Sequence, residues 1–114
     1  MSKAAVDAKL RAEGRCRLCR RSSRVRPLTR HRIVPGRLGG RYVPINCVGL
    51  CRPCHDLVDN RELAERRWAR RMLRASLWPE EHAQARIQYA IRGRSFDRAY
   101  PRPTRELVIE RRAA

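Results

Sequence analysis

Hydrophobic and polar positions change texture twice along the chain. Ala4, Ala5, Val6, Ala8, Leu10 and Ala12 favour a short helix, with Gly14 as its stop. Leu28 to Val34 reads as a short strand ended by Pro35-Gly36, and Gly39-Gly40 marks a loop turn. Tyr42 to Val48 reads as a second extended piece, which Pro44 confines to an edge or an irregular stretch. From Pro53 the pattern turns helical. Leu57, Ala64, Trp68 and Met72 recur at helical spacing, which predicts one helix from about Pro53 to Leu77, supported by a Glu62–Arg66 pair. Trp78-Pro79-Glu80-Glu81 starts another helix, with proline in its first turn and acids at its positive end. Ala83, Ile87, Ala90 and Ile91 line one face of it, free to pack on the rest of the chain or on a second copy, and Gly93 closes it. Beyond Phe96, Pro101 and Pro103 among scattered arginines read as a tail. The pattern predicts an α+β chain in three parts: a lead-in helix over 1–15, a core over 16–60, and a basic helical extension with a tail over 61–114.

Composition changes the picture in two ways. The chain has 114 residues, so one domain is the default, and its 5% aromatic content makes the core thin enough to need a staple. Its net charge is +17, from 28 basic against 11 acidic residues, and 26 of the basic residues are arginine. That excess is beyond what solubility requires and predicts a polyanionic partner, because guanidinium is a planar fork that grips phosphate oxygens in pairs. The charge is spread as +2, +8 and +7 over the three parts, not gathered in one arm. No run of about 18 apolar residues suits a membrane span. The N-terminus has no apolar stretch resembling a secretory signal, so a cytoplasmic location is expected.

Five cysteines supply the staple. Cys16-Arg17-Leu18-Cys19 and Cys51-Arg52-Pro53-Cys54 are two C-x2-C units. Each lets a tight turn aim two thiolates at one ion, and two such turns complete the tetrahedral site that zinc favours. A closed four-thiolate site is structural. Cys47, the odd cysteine, reads as a small buried hydrophobe. A redox C-x-x-C is disfavoured, because no βαβ pattern surrounds either pair. A zinc nucleobase deaminase is excluded, because His31-Arg32-Ile33 lacks the glutamate of H-x-E.

Between the pairs run Leu28-Thr29-Arg30-His31-Arg32-Ile33-Val34-Pro35-Gly36, then Gly39-Gly40, Asn46, and Leu50-Cys51-Arg52-Pro53-Cys54-His55. In these residues the chain resembles the HNH endonuclease family, in the form common among small phage and prophage proteins. The resemblance covers about residues 16–60 and implies a zinc-stapled ββα-metal finger that hydrolyses phosphodiester bonds in double-stranded DNA with one divalent metal. It implies that His31 is a metal ligand, that Asn46 braces the loop, and that His55 binds the metal from the helix, with Asp59 one turn on as a candidate third ligand. It also implies Mg²⁺ or Mn²⁺ at that site, while imidazole ligands suit Ni²⁺ or Zn²⁺ as well. In the family's usual docking the helix lies along the minor groove.

Arg32 departs from the family pattern. It falls where the general base is expected, yet guanidinium has no lone pair with which to take a proton. Three readings accommodate it. His31 serves as base while His55 and Asp59 hold the metal. Alternatively, all three hold the metal, which activates water without a protein base, and Arg32 clamps the phosphate. In the third, the chain is a weak or inactive zinc finger that binds DNA as an accessory protein. An RNA-binding zinc protein is a further class, disfavoured by the small number of stacking aromatics. Each site residue also has an ordinary reading: His31 on the surface, His55 beside the zinc, Asp59 paired with an arginine, Asn46 in a turn. His82, outside the motif, reads as a solvent-facing helical residue.

Overall fold

The structure is a computed structural model and describes residues 3–103. The first helix, α1 (Ala4–Glu13), ends at Gly14, whose φ of 66° is the left-handed conformation that glycine adopts without strain. Strands β1 (Leu28–Arg32) and β2 (Cys47–Cys51) pair antiparallel, with His31 opposite Val48. Four helices follow: α2 (Arg52–Asp59), α3 (Arg66–Ser76), α4 (Pro79–Ile91) and α5 (Phe96–Ala99). The result is a small α+β fold in which a two-stranded hairpin carries helices around it.

The loop between the strands is held by one side chain. Asn46 Oδ1 accepts from Val34 N at 2.9 Å, and its Nδ2 donates to the carbonyls of Val34 and Arg41, both at 3.0 Å. Gly40 passes so close that a Cβ there would lie 1.7 Å from the Val34 carbonyl oxygen, which no side chain tolerates. The Gly39-Gly40 turn is therefore a packing requirement of the loop.

Four expectations are corrected. The second strand is Cys47–Cys51, not Tyr42–Val48: Pro44 opens a 3-10 turn through Asn46, and the strand begins after it. All five strand residues are buried, so Cys-Val-Gly-Leu-Cys shows none of the alternation that marks a half-buried strand. The long helix is broken in two. Asn60 leaves the helical conformation at ψ 108°, and its side-chain oxygen accepts from Glu62 N at 3.0 Å, an amide turn that competes with helix. Glu62 thus falls in the connection, and Trp68 is 47% exposed because α3 buries Ala69, Leu73 and Arg74 instead. On α4 the buried positions are Glu81, Ala85 and Tyr89, while Ile87 and Ile91 are 54% and 68% exposed. Finally, the expected tail folds back over residues 96–103. Ser95 Oγ caps α5 by accepting from Arg98 N at 3.2 Å, and Phe96 stacks on Tyr100, both buried in the main core. The rest of that expected tail lies outside the described residues.

Glu81 inverts the polarity pattern of α4 because it is a buried ion-pair hub. It accepts from Arg17 at 2.7 and 3.0 Å, from Lys9 at 2.6 Å and from Trp78 N at 2.7 Å, tying α1 and the first cysteine turn to α4. Burial acts to raise the Glu81 pKa, but these donors hold it below its ordinary 4.5. A carboxyl with a depressed folded pKa contributes stability above the unfolded value, which is lost as pH falls through the folded one. Glu81→Gln is expected to cost about 3–5 kcal/mol at pH 7, because it leaves buried cations poorly paired. In urea melts the gap to wild type should hold above pH 4.5 and close below it. A gap independent of pH would refute the ion-pair account.

Candidate metal centre

The two cysteine turns meet at the end of β2. Cys16, Cys51 and Cys54 are buried, and the four Sγ atoms lie within 4.8 Å of one another. Cys19 Sγ and Cys51 Sγ are 3.7 Å apart. Tetrahedral zinc with bonds of about 2.3 Å requires sulfur separations of roughly 3.8 Å, so that edge already has zinc geometry. Cys19 N donates to Cys16 Sγ at 3.5 Å, within the first turn. Burial works to raise the Cys51 thiol, but the Cys54 amide and the neighbouring thiols draw it down to about 7. Burial pushes the Cys54 thiol up, and Cys51 and Cys16 beside it push it further. Four converging sulfurs at this spacing form a donor set that fits a structural zinc. Cys47 stands apart, buried with Val6 and Leu10.

The second cluster is built on the same two elements. Strand alternation turns Thr29 and His31 towards α2 and turns Arg30 and Arg32 away. His55 follows the Cys54 thiolate in the first turn of α2, and Asp59 lies one turn later on the same face. The His31 and His55 rings meet edge to face at 5.3 Å. Asp59 Oδ2 lies 2.8 Å from His55 Nε2 and 3.3 Å from His31 Nδ1.

The outer hydrogen bonds fix which ring nitrogens carry protons. Thr29 Oγ1 donates to the Leu50 carbonyl at 2.6 Å, so the same oxygen accepts from His55 Nδ1 at 2.6 Å. Tyr100 Oη donates to the Ile33 carbonyl at 3.0 Å, so it accepts from His31 Nε2 at 2.8 Å. Both protons therefore sit on the outer nitrogens. With the outer nitrogens so engaged, His31 Nδ1 and His55 Nε2 converge on the Asp59 carboxylate, an arrangement that suits a metal ion among the three. Burial, the largest influence, lowers the His31 pKa and keeps that ring neutral, although Asp59 acts the other way. Burial would raise the Asp59 pKa, but the His31 and His55 rings beside it hold it well below the usual carboxylate range. Two imidazoles and one carboxylate, their ligand atoms within 4.8 Å, form a donor set that fits a divalent metal.

Residues 16–61 match the family model for HNH endonuclease. No curated protein and no solved structure matches the chain. The matched segment contains both cysteine pairs, both strands, His31, Asn46, His55 and Asp59, and its small helix-and-hairpin fold with four clustered cysteines is consistent with a zinc-stapled HNH finger. The family implies nuclease chemistry on nucleic acid and a divalent metal. Among the described residues, no helix is long and apolar enough to cross a membrane.

Of the residues singled out in the sequence, the structure brings His31, His55 and Asp59 together and keeps Arg32 and Asn46 outside their contact. Arg32 lies over the Tyr42 ring at 4.3 Å and lines the same cleft as His31, His55 and Asp59. Asn46 braces the loop. His82 is half-buried rather than solvent-facing, its ring edge against Phe96 at 5.0 Å. Three participants escaped the sequence reading. Thr29 shares the His31 face of β1, so alternation could have found it. Arg70, whose Nη2 reaches Asp59 Oδ1 at 3.3 Å, and Tyr100 lie beyond the HNH segment and carry no motif.

Proposed function

We propose that the protein hydrolyses phosphodiester bonds in double-stranded DNA, using one divalent metal held by His31, His55 and Asp59 beside a zinc held by Cys16, Cys19, Cys51 and Cys54. The observation that carries this reading is the convergence of His31 Nδ1, His55 Nε2 and Asp59 Oδ2, with Tyr100 and Thr29 bonded to the outer nitrogens of the two rings. When bound, Mg²⁺, Mn²⁺ or a softer ion such as Ni²⁺ or Zn²⁺ supplies a Lewis acid for a phosphoryl oxygen and lowers the pKa of water.

The chain's own residues divide the remaining work. His31 Nδ1 faces the same point as His55 Nε2, which favours a ligand role for His31 over a role as base. Arg32 cannot accept a proton. From its seat on Tyr42 it supplies fixed positive charge to a phosphate in that cleft. With α2 along the minor groove, arginines elsewhere on the surface would hold flanking phosphates, and affinity should fall steeply with salt. A reducing cytoplasm suits a protein that keeps its thiols free for zinc.

The deciding test incubates supercoiled plasmid with the zinc-loaded protein in Mg²⁺, Mn²⁺ or EDTA, beside His31→Ala and His55→Ala. Metal-dependent nicking by wild type alone supports the nuclease. Binding without nicking above the variants would replace it with the accessory DNA-binding protein, the reading that Arg32 itself favours. Arg32→His restores an imidazole where the family places its base. It is expected to preserve or raise nicking, within the 10²–10⁴-fold that a general base typically contributes. Complete loss of nicking would show that the guanidinium has a required role of its own.

A further inference from the structure

The extension beyond the HNH segment brings more than Tyr100 to the metal face. Arg61, Arg66 and Arg70 line a cleft of about 260 Å³ together with His31, His55 and Asp59. Arg70 is committed. Its Nε donates to the Val58 carbonyl at 2.7 Å, its Nη1 to the Ala99 carbonyl and its Nη2 to Asp59 Oδ1, both at 3.3 Å, and its guanidinium lies over Tyr100. Arg66 begins α3 one turn earlier, on the same face. Its Nε is buried and has no hydrogen-bond partner among the described residues. A buried, charged N–H without an acceptor is costly, and such groups in a folded protein call for an explanation. Asp59, the carboxylate in the same cleft, is already engaged by two imidazoles and Arg70. Burial first, then the charges of Arg70 and Arg61, lowers the Arg66 pKa, so the spot is short of negative charge.

We propose that Arg66 anchors a phosphate subsite beside the metal ligands, its guanidinium taking a non-bridging oxygen of a nucleic-acid phosphodiester. The subsite rests on the nucleic-acid reading above and adds to it that α3, outside the HNH segment, is part of the substrate surface. Turned out into the cleft, the planar fork offers Nε and one Nη to a phosphate together, which satisfies the orphaned donor and relieves the repulsion among the three arginines.

The test follows the Arg66 Nε–H signal by NMR in the full-length zinc-loaded protein, assigned by its disappearance in Arg66→Lys. A short DNA duplex and inorganic phosphate are titrated separately. With duplex, the signal is expected to shift and exchange more slowly with water. In parallel, Arg66→Gln should weaken duplex binding and reduce the slope of log affinity against log salt by about 0.9, while Arg66→Lys keeps that slope. Duplex binding that leaves the Arg66 signal and the slope unmoved would overturn the subsite and leave the nucleic-acid reading standing. A response to inorganic phosphate but not to duplex would also overturn it, in favour of a free-phosphate site. Failure to bind duplex at all would overturn both readings. The NMR titration uses the wild-type chain, and the conservative Arg66→Lys variant enters it only to assign the signal.

Discussion

Replacing His55 with alanine is expected to remove one metal from the protein and leave the other. Cobalt(II) distinguishes them. A four-thiolate site produces sulfur-to-cobalt charge-transfer absorption, and a site of imidazoles and carboxylate does not. Wild type should titrate in two phases, thiolate first, and His55→Ala should lose the second phase. The affinity loss should be at least about 100-fold, since even groups that merely orient a ligand are worth 10–100-fold. Thr29→Val tests that orienting role. It removes the oxygen that accepts from His55 Nδ1, frees the ring to adopt the other tautomer, and should weaken the second metal by about 10–100-fold with the ligand itself intact. His55 is partly exposed and lies outside the main core, so its loss should leave thermal stability of the zinc-loaded protein near wild type. If both cobalt phases survive in His55→Ala, the ion is held by other groups, and the proposed site with its nuclease reading fails.

Features of the fold and the site are legible in the sequence to the extent that they are local. The cysteine pairs were legible because two residues of spacing fix a turn, and both turns fold onto one point. The His55–Asp59 pair was legible for the same reason, one turn of one helix. His31 joins them through a strand register that no local spacing specifies, and it was placed by the order of the motif rather than by geometry. Elements failed where tertiary partners overrode polarity. Glu81 looks like a solvent residue at the start of a helix, and its burial follows from Arg17 and Lys9, far away in sequence. Cys47–Cys51 hid as a strand because both its faces are covered. Tyr100 was invisible as a site residue, since a tyrosine before a proline-containing stretch has no periodicity to report. Its role exists because α3 and α5 carry the chain back across the Ile33 carbonyl.

The largest effect on the fold should come from Cys51→Ser. Cys51 ends β2 and stands at the N-cap of α2, so its thiolate fixes the point where the hairpin becomes the helix. With Cys16 and Cys54 it is also part of the main core. Structural zinc in small finger domains contributes about 10–16 kcal/mol, comparable to the entire stability of a typical domain, about 5–15 kcal/mol. A core with so few aromatics has no reserve to offset that loss. The variant should therefore purify with less than one zinc per chain and lack a cooperative thermal transition. Strong chelation of wild type should produce the same state, and added zinc should reverse it. Glu81→Gln offers the contrast: it weakens an ion-pair hub but leaves all four thiols in place, so it should melt cooperatively with zinc bound. The two sites would be coupled through α2, because His55 is the residue after Cys54: losing the zinc would release the start of α2 and with it the convergence of His55, Asp59 and His31, and by linkage metal at those three residues would strengthen zinc binding by the same factor. A Cys51→Ser protein that still melted cooperatively without zinc would mean that the apolar core alone sustains the hairpin-to-helix junction.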